Sequence, residues 1–143
     1  MRLRIDNETF RYLNAFGTLT GVSAIDCFTF NGEIVYVVEP GKISVAVGKG
    51  GSNIRKVENL LNKRVRLVEY SNDPISFVRN IMFPFTPRNL ILVTKSDGSK
   101  VIKIIADNAL KRRLFKDGKR LLNLINILLQ RHFPNYRAEV GEK

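Results

Sequence analysis

The sequence has few of the residues that disulfides, metal centres and catalytic triads require. Its 143 residues include one cysteine and one histidine. A single cysteine excludes an intramolecular disulfide and a thiolate metal cluster, and a single histidine leaves a histidine-based metal site or triad incomplete. We therefore interpret Cys27 as a small strand residue and His132 as a helix-end residue.

Long apolar segments and clustered carboxylates are missing as well. The densest apolar run, residues 121–129, is too short to span a bilayer and is interrupted by two asparagines. The amino terminus lacks a signal-peptide hydrophobic region, so we expect a cytoplasmic protein without membrane contact. The sequence contains no D-x-D or H-x-E pattern, so a nuclease would have no evident metal-ligand set. We expect no enzymatic activity, no metal and no cofactor.

Negative charge is scarce, whereas positive charge is abundant. The formal net charge is +11, the sequence pI is near 10.2, and 44% of the residues are hydrophobic. A chain that can bury a core and still carries this charge differs from a disordered basic tail, and it indicates a polyanionic partner. Nucleic acid is the first candidate for this partner. An anionic membrane surface is less favoured because no basic amphipathic helix dominates the sequence.

One glycine-rich stretch, Val47-Gly48-Lys49-Gly50-Gly51, lies between two predicted helices. Glycine permits positive φ and lets a phosphate approach, the following helix offers N–H groups and a positive dipole end, and Lys49 adds a cation. The spacing fits neither a Walker loop nor a dinucleotide fingerprint. A simple tight turn is the alternative interpretation. The apolar face predicted for the second helix consists of Ile54, Val57, Leu60 and Leu61.

The order of predicted elements repeats along the chain. The first unit has a helix capped by Asp6, a hairpin at Asn31-Gly32, the two helices around the glycine loop, and a strand at residues 64–69. The same order begins again at Asp73. Landmarks recur 67 positions apart, such as Phe10 with Phe77 and Phe16 with Phe83. We interpret this as a duplicated domain, with units at residues 1–71 and 72–143.

The second unit differs at its loop and in its charge. Adding 67 to Gly48 gives Phe115-Lys116-Asp117-Gly118, in which only the last glycine is kept. Residues 73–143 nevertheless contain 14 Lys or Arg against 6 Asp or Glu, whereas residues 1–72 contain 10 against 7. We expect the first unit to bind a short single strand of nucleic acid closely, and the second unit to attract the flanking phosphates through its side chains. The alternative is that these cations form a solvated face.

These features together resemble tandem type II KH domains, in the arrangement of archaeal NusA-type transcription factors. The resemblance rests on the glycine loop inside a repeated helix-strand-strand-helix-helix-strand unit, on the passage at residues 69–74, and on Arg131-His132-Phe133. It implies an α/β (α+β) fold in which each unit packs a three-stranded sheet against three helices. It also implies a groove for about four nucleotides of single-stranded RNA.

The resemblance also implies which residues bind RNA. The backbone clamp is Gly48, Lys49, Gly50 and Gly51. Candidates for an apolar floor under the bases are Ile43, Val47, Ile54, Val65 and Leu67. Phosphate partners flanking the loop are Arg55, Lys56 and Arg66. The basic residues around the second loop add Lys116, Lys119 and Arg120.

The leading functional hypothesis is a noncatalytic, monomeric RNA-binding factor that acts on nascent transcripts in elongation, termination or antitermination. Bacterial NusA has a polymerase-binding domain and an S1 domain ahead of its KH pair. We expect neither in this sequence, so any contact with RNA polymerase would use other surfaces. Two alternatives are a KH protein of ribosome assembly and a polymerase-interacting structural module whose glycine loop is merely a turn.

Overall fold

The computed structural model describes residues 6–141, and the chain divides into two compact units between Ser71 and Asn72. Both are mixed α/β units built on a three-stranded sheet, as the sequence predicts. The elements of the first unit are α1 (Asn7–Thr20), β1 (Ala24–Phe30), β2 (Glu33–Val38), α2 (Ile43–Val47), a single 3₁₀ turn (Lys49–Gly51), α3 (Ser52–Leu61) and β3 (Arg64–Glu69).

Local signals in the sequence set the ends of the first elements. The Asp6 carboxylate accepts a hydrogen bond from the Thr9 N–H at 2.7 Å and so caps α1, which ends where Gly21 takes a left-handed conformation. Asn31 and Gly32 both have positive φ, 49° and 80°. This pair of angles is the type I′ geometry that matches strand twist, and it joins β1 to β2 as a hairpin.

The core of the first unit lies between its sheet and its helices. Strand β2 is central, antiparallel to β1 and parallel to β3. The buried Tyr36 of β2 stacks on Phe16 of α1 with ring centroids 4.2 Å apart. Its hydroxyl donates to the backbone carbonyl of Tyr12 at 2.7 Å, and burial raises the pKa of Tyr36. Cys27 of β1 is buried and forms no disulfide, as expected of a strand residue.

The second unit has the same sheet topology. Its elements are α4 (Pro74–Met82), β4 (Asn89–Thr94), β5 (Lys100–Ile105), α5 (Asn108–His132) and β6 (Tyr136–Val140), with β5 central, antiparallel to β4 and parallel to β6. Asp73 caps α4 and Pro74 occupies its first turn, as predicted. His132 ends α5 and meets the ring of Phe77 edge-on at 5.6 Å.

Several apolar side chains are not where the sequence pattern predicts them. Leu60, expected on the apolar face of α3, is 62% exposed. Phe16 is buried, but Phe83, its expected counterpart, lies just past the end of α4 and is 78% exposed. Conversely, Phe77 is buried whereas Phe10 is exposed. The spacing of 67 therefore matches helix starts but not the buried faces of α1 and α4.

Candidate nucleic-acid interface

The glycine loop (residues 48–51) joins α2 to α3 through backbone conformations that favour glycine. Gly48 has φ 78° and ψ 171°, Gly50 has φ 61°, and Gly51 has φ 80°. The φ/ψ region of Gly48 is almost inaccessible to residues with a Cβ. The φ/ψ values of Gly50 and Gly51 lie in the left-handed region, which residues with a Cβ adopt only rarely. The chain thus turns sharply enough between the two helices to bring its bare backbone to the surface.

The three glycines differ in what surrounds them. A Cβ built on Gly48 would lie 2.7 Å from Cγ of Asn53, and one on Gly51 would lie 3.1 Å from Nη1 of Arg55. A Cβ on Gly50 would meet nothing within 4 Å. The helices therefore require glycine at position 48, while the space over Gly50 is open to a ligand.

Two side chains from the first turns of α3 hold the loop in place. Asn53 donates from Nδ2 to the carbonyl of Val45 at 3.0 Å, which ties the start of α3 to α2. Arg55 donates from Nη1 to the carbonyl of Gly50 at 2.7 Å. Arg55, expected to contact phosphate, therefore positions the loop in this structure. Asn53 was not predicted from the sequence, where its only signal is an amide side chain two residues after the last glycine of the loop.

The start of α3 is suited to an anion. Its N-cap is Gly51, which has no side chain to accept hydrogen bonds from the first-turn N–H groups, and that turn contains no acidic residue. The positive end of the dipole of this ten-residue helix therefore lies beside the open backbone of Gly50. Lys49 is exposed within the loop, and Lys56 is exposed on α3. These features together favour phosphate at the loop.

The apolar residues next to the loop are mostly part of the core. Ile43 and Ile54 are half-buried and pack against the buried core, as do Val65 and Leu67 of β3. Helices α2 and α3 both lie against β3, which is an edge strand. Val47, the last residue of α2, is also half-buried and directly precedes the loop. The structure thus brings the predicted floor residues to one side of the sheet, next to the loop.

Arg66 does not join this group. It pairs with Val35 across β2 and β3, whereas its neighbours Val65 and Leu67 pair with Ile34 and Tyr36 on the core side. Since side chains alternate along a strand, Arg66 points to the opposite face of the sheet from α2 and α3. Its Nε lies 3.5 Å from Oε1 of Glu33. We therefore leave Arg66 out of the proposed site.

The second unit has a comparable break within α5. The backbone leaves the helical conformation from Lys116 to Lys119, and Asp117, Gly118 and Lys119 all have positive φ, from 53° to 68°. Asn123 donates to the carbonyl of Gly118 from five residues further on, as Arg55 does to Gly50. By this match Lys116, not Phe115, stands in the position of Gly48.

The prediction of a loop at residues 115–118 was therefore wrong by one residue. Phe115 is the last helical residue before the break, like Val47 in the first unit. Among the predicted phosphate partners, Lys116 and Lys119 are exposed and Arg120 is half-buried. The ammonium of Lys119 lies 5.7 Å from the centroid of the Phe115 ring.

Within residues 6–141, no group of three or more His, Cys, Asp or Glu is placed to hold a metal ion. Within the same range no helix is both long and apolar enough to cross a bilayer.

Comparisons with known proteins agree on one family. The model of the KH domain matches residues 13–106. "Probable transcription termination protein NusA" of Methanococcus vannielii is 30% identical, over 89% of this chain and 73% of that protein. The protein of the same name from Methanocaldococcus jannaschii is 30% identical, over 92% and 71%. The crystal structure of APE1850 superposes with a TM-score of 0.78 at 24% identity, over 94% of this chain and all of that one, which shows a shared fold.

Proposed function

Since this chain belongs to the KH domain family and, within it, to the archaeal NusA-type proteins, we propose that it is a noncatalytic protein that binds single-stranded RNA through its glycine loop. One observation carries this proposal: the backbone at Gly50 is open to solvent beside the uncapped start of α3. A phosphate fits there because no Cβ blocks it and because the N–H groups and helix dipole favour an anion.

The bound strand would make two kinds of contact. Its phosphates lie against Gly50 and Gly51, with Lys49 and Lys56 nearby as mobile cations. Its bases lie toward Val47, over the half-buried Ile43 and Ile54. Arg55 and Asn53 position the loop. The affinity should fall with salt by about 0.7 log units per neutralised phosphate for each tenfold increase in salt concentration.

Fluorescence-anisotropy titration of a random single-stranded RNA library tests this site. The test variant combines Lys49→Asp with Gly50→Asp, which places two carboxylates where phosphate should lie. The matched control combines Lys95→Asp with Gly98→Asp in the second hairpin turn, where Gly98 also has positive φ (89°) and nothing lies within 4 Å of its built Cβ. Both variants change the net charge equally, so bulk electrostatics affects them equally.

We expect the loop variant to lose most of the RNA affinity and the control to keep most of it. Circular dichroism and urea unfolding verify that both variants fold. Unchanged affinity in the loop variant would overturn the proposal, and the glycine loop would then be structural. Equal losses in both variants would also overturn it, because binding would then depend on net charge alone.

We further propose that the RNA is a nascent transcript and that RNA polymerase is a second partner, with effects on termination or antitermination. The support is the name of the two relatives, "Probable transcription termination protein NusA". In vitro transcription with an archaeal RNA polymerase on a terminator template tests this. Addition of the protein should change the fraction of terminated transcripts, and the loop variant should not. No effect of the wild-type protein would contradict this role.

A further inference from the structure

Phe115 has a combination of properties that a core residue would not have. It is the last helical residue before the break in α5, and 44% of its surface is exposed. The side chains one turn earlier, Lys111 and Arg112, are basic. The break that follows contains Lys116 and Lys119, and the only acidic residue between positions 108 and 120 is Asp117. An exposed aromatic ring therefore stands in a strongly cationic neighbourhood.

Lys119 lies over this ring although its own backbone conformation is unfavourable. Its φ is 66°, in the left-handed region that lysine rarely adopts, and its ammonium lies 5.7 Å from the ring centroid of Phe115. Lysine in water makes only a weak cation–π contact at an exposed site. The contact places a positive charge over the exposed ring.

An aromatic ring beside several cations is suited to a nucleobase that is joined to phosphates. Bases stack on aromatic side chains whatever their sequence, and the adjoining phosphates need cations. A purely apolar protein segment would leave the lysines without partners. The equivalent residue in the first unit, Val47, is aliphatic and has no ring on which a base can stack.

We propose that Phe115 is a base-stacking site of the second unit, where a nucleobase of single-stranded RNA lies on the ring and Lys116 and Lys119 contact the phosphates beside it. This inference rests on the proposed function for the kind of ligand, but it concerns a separate site. The second unit would then bind RNA through a side-chain platform, whereas the first unit binds it through bare backbone.

The test uses the absence of tryptophan from this sequence. Phe115→Trp introduces a single tryptophan, whose fluorescence reports directly on a stacked base. The matched control is Phe83→Trp, at a more exposed ring of the same unit. Each variant is titrated with octauridylate at low salt in the background of Lys49→Asp plus Gly50→Asp, so that the first loop does not contribute. We expect saturable quenching at position 115 and none at position 83.

Affinity measurements on the otherwise unaltered chain complete the test. Phe115→Ala and Phe115→Leu should each weaken RNA binding about fivefold or more, whereas Phe115→Tyr should retain it, because stacking needs a ring and not merely apolar area. Thermal unfolding verifies that each variant folds.

The outcomes separate this inference from the proposed function. Loss of affinity in the glycine-loop variant, with no quenching at position 115 and no change in Phe115→Ala, overturns the stacking site alone. Equal loss in Phe115→Ala and Phe115→Tyr also overturns it. Absence of RNA binding by the wild-type chain overturns both.

Discussion

The two interhelical loops have similar backbone turns but different residues. In the first, every residue with positive φ is a glycine: Gly48, Gly50 and Gly51. In the second, the residues with positive φ include Asp117 and Lys119 on either side of Gly118. Both loops receive a side-chain hydrogen bond on a glycine carbonyl from five residues further on. The second unit has thus kept a sharp turn and one glycine, Gly118, without keeping the other two.

This difference shows which glycine the turn itself does not strictly need. By the match of Gly50 with Gly118, Lys119 stands in the position of Gly51 and adopts a left-handed conformation there, so a residue with a side chain can occupy that position. Gly50 has a glycine counterpart, and the open space over it leaves its backbone accessible to a ligand. Gly48 is different, since its neighbour Asn53 leaves no room for a Cβ. Substitutions in the two loops can test these separate roles of the glycines.

The largest effect is expected at Gly48. Gly48→Ala places a methyl group 2.7 Å from Cγ of Asn53 and forces alanine into a conformation that is almost restricted to glycine. We expect the free energy of unfolding to fall by about 1–3 kcal/mol. Urea denaturation measures it. The counterpart is Lys116→Ala, at φ −62°, which should change the stability by less than about 0.5 kcal/mol. Equal losses of stability in Gly48→Ala and Lys116→Ala would contradict the inference that position 48 specifically requires glycine.

An intermediate effect is expected from exchanging the residues at the fourth position of each loop. Gly51→Lys places a side chain at φ 80° and against Arg55, so it should destabilise the first unit by about 1–2 kcal/mol. Lys119→Gly relieves the left-handed strain but gives the unfolded chain more freedom, so its net stabilisation should be at most about 1 kcal/mol. Thermal unfolding of both variants measures the two changes in stability. A loss of stability in Lys119→Gly would contradict the strain argument.

The smallest effect is expected from the side chains that support the loops. Asn53→Ala removes the 3.0 Å hydrogen bond to Val45 and should destabilise the chain by about 1 kcal/mol. Asn123→Ala removes a longer bond of 3.2 Å to Gly118 and should cost about half as much. RNA affinity should fall more in Asn53→Ala, because Asn53 positions a clamp that binds phosphate through its backbone, whereas the second loop contacts RNA through side chains. A fall of equal size in Asn123→Ala would indicate that the second loop also binds phosphate through its backbone.

Much of the fold was predictable because its signals are local. The caps Asp6 and Asp73, the turn at Asn31-Gly32 and the alternation of β3 each depend on a few neighbouring residues, and the structure confirms them. The KH assignment was also predictable, since it rests on a short loop in a repeated order of elements.

What the sequence did not reveal depends on register and on distant contacts. The second loop was placed one residue early because the spacing of 67 between the helix starts was applied to it, whereas the loops themselves are 68 positions apart, with Gly118 matching Gly50. Leu60 fits the helical period but is 62% exposed, whereas Val57 and Leu61 of the same helix are buried. Arg66 was assigned to the site because charge does not reveal the face of a strand. The face follows only from the pairing of β2 with β3.

The buried thiol of Cys27 gives the first unit a built-in reporter that the second lacks. It is the one cysteine of the chain, it lies in β1, and it is 2% exposed. A thiol reagent can therefore modify the native chain only when the first sheet opens, and the modification rate measures the free energy of that opening. Since the buried residues clustered with Cys27 all belong to the first unit, we expect the thiol to stay protected when only the second unit unfolds. One chemical probe thus distinguishes the cooperative stability of one duplicated unit from that of the other without any labelling mutation.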